Sequence, residues 1–191
     1  ETIRDLIDER TQAGFRVLVV HSALKGISNL LEQSIQEALS KDQQLAVVDI
    51  IKAHSSLSSD LGLDGPEILN EDIQILKRNL AKVNHQKRVD PPLRAEIMAL
   101  GELMATRLGA AFLEAQGLDI NWIDARKLLC SVKSSQKDEK ASYLSAICHS
   151  SPDEKLKNHL SDLSGTLITQ GFIASNENGE TVLLGRGGSD T

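Results

Sequence analysis

With 191 residues, 40% of them apolar but only 3% aromatic, the chain can bury one sizeable core and must build it from Leu, Ile, Val and Ala. A formal net charge of −6 argues against a general nucleic-acid binder, whose footprint is a basic face; the basic cluster His85-Gln86-Lys87-Arg88 has no interleaved aromatics and reads as a solvated loop. Cys130 and Cys148 fit no metal or redox spacing, and neither a signal peptide nor a bilayer-length apolar run is present, so two reduced thiols in a cytoplasmic protein are expected, with no membrane partner.

In chain order, Ile3, Leu6, Ile7 and Ala13 recur at helical spacing, and Gly14 is placed to end that helix. The β-branched run Val17-Leu18-Val19-Val20 predicts a strand over residues 16–21, buried on both faces as in a parallel sheet. A turn over residues 22–29 follows, with Ser28 or Asn29 suited to cap the next helix. Helical patterns cover about 30–40 and 43–57; a loop spans 62–66, and another helix runs from 67 to about 83. Pro91-Pro92 open a long helix that reaches about residue 116 and stops at Gly117. Strands are predicted at 119–123, 167–174 and 181–184, the last two joined by the turn residues 176–179. Between the second and third strands lies a polar segment, 131–165, in which Ser151-Pro152-Asp153-Glu154 reads as a capping box. Helices alternating with short apolar strands predict an α/β fold with a mainly parallel sheet.

Three places carry the chemistry. The final stretch, Leu184-Gly185-Arg186-Gly187-Gly188-Ser189-Asp190-Thr191, combines glycines that admit close backbone approach, N-cap residues for a following helix, and a guanidinium fork for a carboxylate or phosphate. The chain stops inside this pattern and begins at Glu1 without Met, so a piece of a larger protein is expected. Second, the helix over 94–116 is apolar on both sides. One stripe holds Ile97, Leu100, Met104, Leu108, Phe112 and Ala115; the other holds Ala99, Leu103, Thr106, Gly109 and Leu113. Glu102 lies on this second side, where a buried carboxylate requires a cation or several donors, or becomes protonated. A structural ion pair, or a helix-end Glu near Gly101, remains the alternative. Third, the 22–29 turn sits at the carboxyl end of a parallel-type strand, where ligands of open α/β sheets bind; ordinary turn chemistry is its alternative. The chain lacks G-x-x-x-x-G-K-[ST], H-E-x-x-H and G-x-S-x-G, and Asp190 stands where G-x-G-x-x-G would need its last glycine. No metal ligand set is read from the residues, and His21 is expected to be a strand-end residue.

Five segments in order resemble aspartate kinase, a member of the amino-acid kinase superfamily: residues 19–31, Gly101-Glu102-Leu103-Met104, Trp122-Ile123-Asp124-Ala125-Arg126, Ile168-Thr169-Gln170-Gly171-Phe172-Ile173, and Leu184 to Asp190. The resemblance implies a three-layer α/β/α sandwich, with residues 1–191 as an incomplete catalytic domain whose first strand and nucleotide-binding half are missing. Residues 131–165 form a polar helical segment within it. The implied activity is ATP-dependent phosphorylation of the L-aspartate side chain to 4-phospho-L-aspartate, the first step of the lysine, threonine and methionine pathway, with Mg2+ bound alongside the nucleotide. Arg186 would clamp the substrate carboxylate and Glu102 its ammonium. Ser22, Ser28, Phe172 and Ser189 would line the same pocket, Gly187 and Gly188 would lie near the phosphates, and Asp190 would act near the transferring phosphoryl group. A fusion to diaminopimelate decarboxylase, a homo-oligomeric full-length protein and inactivity of these residues alone are further expectations. The rival is a non-catalytic remnant of the fold that binds an amino acid or a partner chain.

Overall fold

The computed structural model describes residues 2–40, 45–133, 138–149, 151 and 153–185. The elements run α1 (Thr2–Gln12), β1 (Leu18–His21), α2 (Ile27–Ser40), α3 (Leu45–Asp60), α4 (Gly65–Gln86), α5 (Pro91–Ala115), β2 (Ile120–Trp122), a 3-10 turn (Ala125–Lys127), α6 (Glu139–Leu144), α7 (Glu154–Asp162), β3 (Thr166–Gln170), β4 (Ile173–Ser175) and β5 (Thr181–Leu183). The fold is α/β with a parallel sheet, as the sequence predicts: β1, β3 and β2 lie side by side in that order, all parallel. β4 and β5 form a separate antiparallel hairpin.

α5 is the axis of the molecule. Asp90 accepts the N–H of Leu93 at 3.0 Å, and the two prolines occupy first-turn positions that have no N–H to lose. Ile97, Leu100, Met104 and Leu108 are buried on one side, and Ala99, Leu103, Thr106 and Leu113 on the other. The first set joins a core shared with α2, α3 and α4, through side chains such as Leu31, Ile50, Leu76 and Leu80. At the far end Leu113 meets Ile7, Ile120 and Ile168, so the helix is also pressed against α1 and the sheet. Each of these aliphatic side chains contributes roughly 1.5–3 kcal/mol by leaving water.

Four local expectations are corrected. The single strand over 167–174 is two strands, because Phe172 adopts φ +66° and turns the chain out of the parallel sheet into the hairpin. β1 is not buried on both faces: Leu18 is 46% and Val20 56% exposed. Their face opens onto a groove bordered by Leu156 and Leu160 of α7, while Val19 and His21 face α1 and α5. α2 starts earlier than predicted, at Ile27, after Gly26 at φ +87°; Ser28 and Asn29 therefore lie in its first turn and do not cap it. α7 is capped by Asp153, which accepts the N–H groups of Lys155 and Leu156, so Ser151 is not the cap. Among the described residues no helix is long and apolar enough to cross a membrane.

Candidate substrate site around Glu102

The site begins with a missing Cβ. A methyl group on Gly101 would stand 3.1 Å from Ala23 Cβ, 3.2 Å from Leu31 Cδ1 and 3.4 Å from Ile27 Cγ2. Glycine at this position lets the connection between β1 and α2 press directly onto α5. That contact brings the backbone N–H of Ala23 to the carboxyl group of Glu102.

Glu102 is only 4% exposed, and its Oε2 has no hydrogen-bond partner. Burial pushes its pKa up from 4.5 to about 7, offset in part by the N–H groups of Glu102 itself and Ala23. No charged side chain contributes to that shift, so the ion pair considered from sequence has no cation among the described residues. The carboxyl group thus sits beside the Ala23 N–H with one buried oxygen that lacks a donor.

Ser22 and Ser28 are exposed on either side of Ala23, one just after β1 and one in the first turn of α2, where backbone N–H groups favour negative charge. Phe172 is half-buried; its ring packs on the main core and its carbonyl oxygen accepts the N–H of Leu184 at 2.8 Å. A left-handed conformation at a non-glycine residue costs of order 1–3 kcal/mol, and such costs cluster at binding sites. Arg186, Gly187, Gly188, Ser189 and Asp190 lie outside the described residues. The hairpin carries the chain towards them through Gly185, whose N–H bonds Ala146 O at 3.0 Å.

Beneath Glu102 lies a polar node that spacing alone did not single out. Thr106, one turn along the same face of α5, donates to Glu102 O at 2.8 Å and accepts Trp122 Nε1 at 3.0 Å and Gln170 Nε2 at 2.9 Å. Gln170 Oε1 in turn accepts the N–H of Ala125 at 2.8 Å. Thr106 was visible as a polar residue on a buried face; the missing signal was its set of partners, two of which come from strands far away in sequence. Outside this node, Arg107 forms an ion pair with Asp72 of α4 at 2.8 Å and stacks over Trp122 at 4.2 Å. A cavity of about 290 Å3 continues below Thr106, lined by Ile3, Val19, His21, Gly109 and Phe112 among others. Among the described residues no three His, Cys, Asp or Glu side chains converge to hold a metal ion.

All of residues 1–191 match the Amino acid kinase family. The chain belongs to that family. Lysine-sensitive aspartokinase 3 of Escherichia coli (strain K12) is 31% identical over 175 residues, covering 91% of this chain and 37% of the relative. The chloroplastic bifunctional aspartokinase/homoserine dehydrogenase 1 of Arabidopsis thaliana is 28% identical over 184 residues, covering 92% and 19%. Among solved structures, E. coli aspartokinase III in complex with lysine and aspartate superposes with a TM-score of 0.68 at 29% identity, over 98% of this chain and 41% of that one. The same enzyme in complex with aspartate and ADP gives 0.66. This amino acid kinase chain thus spans well under half the length of the relatives it matches.

Proposed function

We propose that these residues form the aspartate-binding part of an aspartate kinase, which transfers the γ-phosphoryl group of ATP to the side-chain carboxylate of L-aspartate. The observation that carries this reading is Glu102: a buried carboxylate with a free oxygen and no described cation, held against the Ala23 N–H. A substrate ammonium supplies the missing charge. Arg186 grips the α-carboxylate through two parallel N–H bonds, a geometry that lysine cannot match. Ser22, Ser28, Phe172 and Ser189 close around the remaining atoms. Holding both ends of the amino acid leaves its side-chain carboxylate as the nucleophile. One of that carboxylate's oxygens forms a bond to the γ-phosphorus while the bond to the ADP oxygen breaks, giving an acyl phosphate and ADP.

ATP supplies the phosphoryl group, and Mg2+ entering with it neutralises phosphate charge. Among the described residues no cluster of His, Cys, Asp or Glu side chains is placed to hold the ion. Gly187, Gly188 and Asp190 are the proposed neighbours of the phosphates. Solved aspartokinase structures that contain aspartate, and aspartate with ADP, support this reading. A homo-oligomeric protein in the cytoplasm is part of the same proposal.

The test is ADP release by the intact protein with ATP, Mg2+ and either L-aspartate or L-glutamate, with the acyl phosphate trapped by hydroxylamine. Aspartate-dependent ADP and hydroxamate are expected, with little of either from glutamate. ADP release that ignores aspartate refutes the proposal.

A further inference from the structure

The node under Glu102 has more order than packing requires. A threonine hydroxyl has one hydrogen to give and two lone pairs to fill. At Thr106 all three are used: the hydrogen goes to Glu102 O, and the lone pairs take Trp122 Nε1–H and Gln170 Nε2–H. A mid-helix threonine bonded to the carbonyl four residues back is ordinary. Two further donors arriving from β2 and β3 are not explained by helix formation. Thr106 and Gln170 are both buried, and valine would fill the threonine's space without any of these bonds. A fully satisfied buried network fixes one geometry, where an apolar contact would tolerate several.

The two walls joined by this network are those of the proposed site. Thr106 is four residues from Glu102 on one face of α5. Gln170 is the last residue of β3, and Gly171 and the left-handed Phe172 follow it directly. Gln170 is tied at its other end by the Ala125 N–H, which restrains its position along the helix. We infer that Thr106 and Gln170 are a positioning pair, which sets the spacing between the Glu102 wall and the Phe172 wall and so the fit of the amino-acid substrate. This inference rests on the aspartate reading of the site.

The experiment uses the intact protein and three variants, Thr106→Val, Thr106→Ser and Gln170→Met. Thr106→Val is expected to raise KM for aspartate at least tenfold while KM for ATP stays within twofold. Thr106→Ser, which keeps the hydroxyl, is expected to stay within about threefold of wild type. Gln170→Met cuts the same link from the β3 side and is expected to reproduce the change in KM for aspartate. Trp122 is the single tryptophan of these residues, and its indole N–H resonance reports the node without any turnover. That resonance is expected to move in Thr106→Val, to stay in Thr106→Ser, and to respond to aspartate in wild type. A lower melting temperature with unchanged KM for aspartate in Thr106→Val and Gln170→Met would overturn the inference and leave the substrate reading intact. If Thr106→Val does not fold, an unchanged KM for aspartate in Gln170→Met overturns it alone. Wild-type protein that turns over without binding aspartate refutes the substrate reading itself.

Discussion

Replacing Glu102 by Gln should trade substrate affinity for stability, with a pH signature that follows from removing its titration. The folded protein raises the pKa of this carboxyl group from 4.5 to about 7. Between those values the folded chain holds more protons than the unfolded one, so stability falls as pH rises through the window. This contribution is intact below about pH 4.5 and lost above about pH 7. At roughly 1.4 kcal/mol per pH unit the full loss is about 3 kcal/mol. Glutamine keeps the shape and cannot ionise. Wild type and Glu102→Gln should therefore melt within a degree or two of each other at pH 5. At pH 8, without substrate, the variant should be the more stable by roughly 1–3 kcal/mol, several degrees of melting temperature for a chain of this size. Its affinity for aspartate should fall by roughly 2–5 kcal/mol, the range for removing one side of a desolvated charge pair. Thermal melting of both intact proteins from pH 5 to 8, with and without L-aspartate, reads all of these quantities. A variant that is less stable at pH 8 and binds aspartate as well as wild type would refute the reasoning, because Glu102 would then be serving a cation of the protein.

Gly101→Ala should cost roughly 1–3 kcal/mol through overpacking, because its new methyl group meets Ala23 and Leu31 at 3.1 and 3.2 Å; melting and aspartate KM should both worsen as the β1–α2 connection is pushed away. Arg107→Lys keeps the charge beside Asp72 but loses the flat stack on Trp122, so chemical denaturation should show a loss of roughly 0.5–2 kcal/mol with aspartate KM unchanged. Arg186→Lys in the intact protein should raise KM for aspartate far more than KM for ATP; a rise for ATP alone would assign Arg186 to the phosphates.

The order of elements was legible because it follows from period and punctuation. Glycines at 14 and 117 adopt the positive φ expected at helix ends, and the prolines at 91 and 92 open α5. The burial of α5 on both sides, and with it the anomaly of Glu102, could be read from residue type alone. What stayed hidden depended on partners distant in sequence. Nothing in Gln170-Gly171-Phe172 announces that the phenylalanine, and not the glycine, takes the left-handed conformation that splits the strand. Leu18 and Val20 look like core residues in any window, yet their face of β1 borders an open groove. Ser151 and Asp153 are equally good caps by type, and only the placement of the first helical N–H groups chooses Asp153. The Thr106 node joins residues 16 and 64 positions apart, and the Arg107–Asp72 pair spans two helices, separations at which spacing carries no information.

Three locally unfavourable choices lie on one path through the molecule. A glycine inside a helix costs about 1 kcal/mol relative to alanine. A carboxylate buried without a cation costs about 3 kcal/mol near neutral pH by the displacement of its pKa. A phenylalanine at φ +66° costs of order 1–3 kcal/mol. Each could be removed by a single substitution if stability were the only demand: alanine at 101 if the turn moved aside, glutamine or leucine at 102, glycine at 172. They are instead linked. Gly101 admits the Ala23 backbone, the Ala23 N–H lies beside Glu102, and the Glu102 carbonyl is joined through Thr106 and Gln170 to the turn at Phe172. Most of the long helix around them follows the ordinary rules of caps, apolar stripes and paired charges. Three such choices joined on one contact path, at the carboxyl ends of two parallel strands, are what the proposed substrate pocket requires, because there the ligand would supply the partner that the protein withholds.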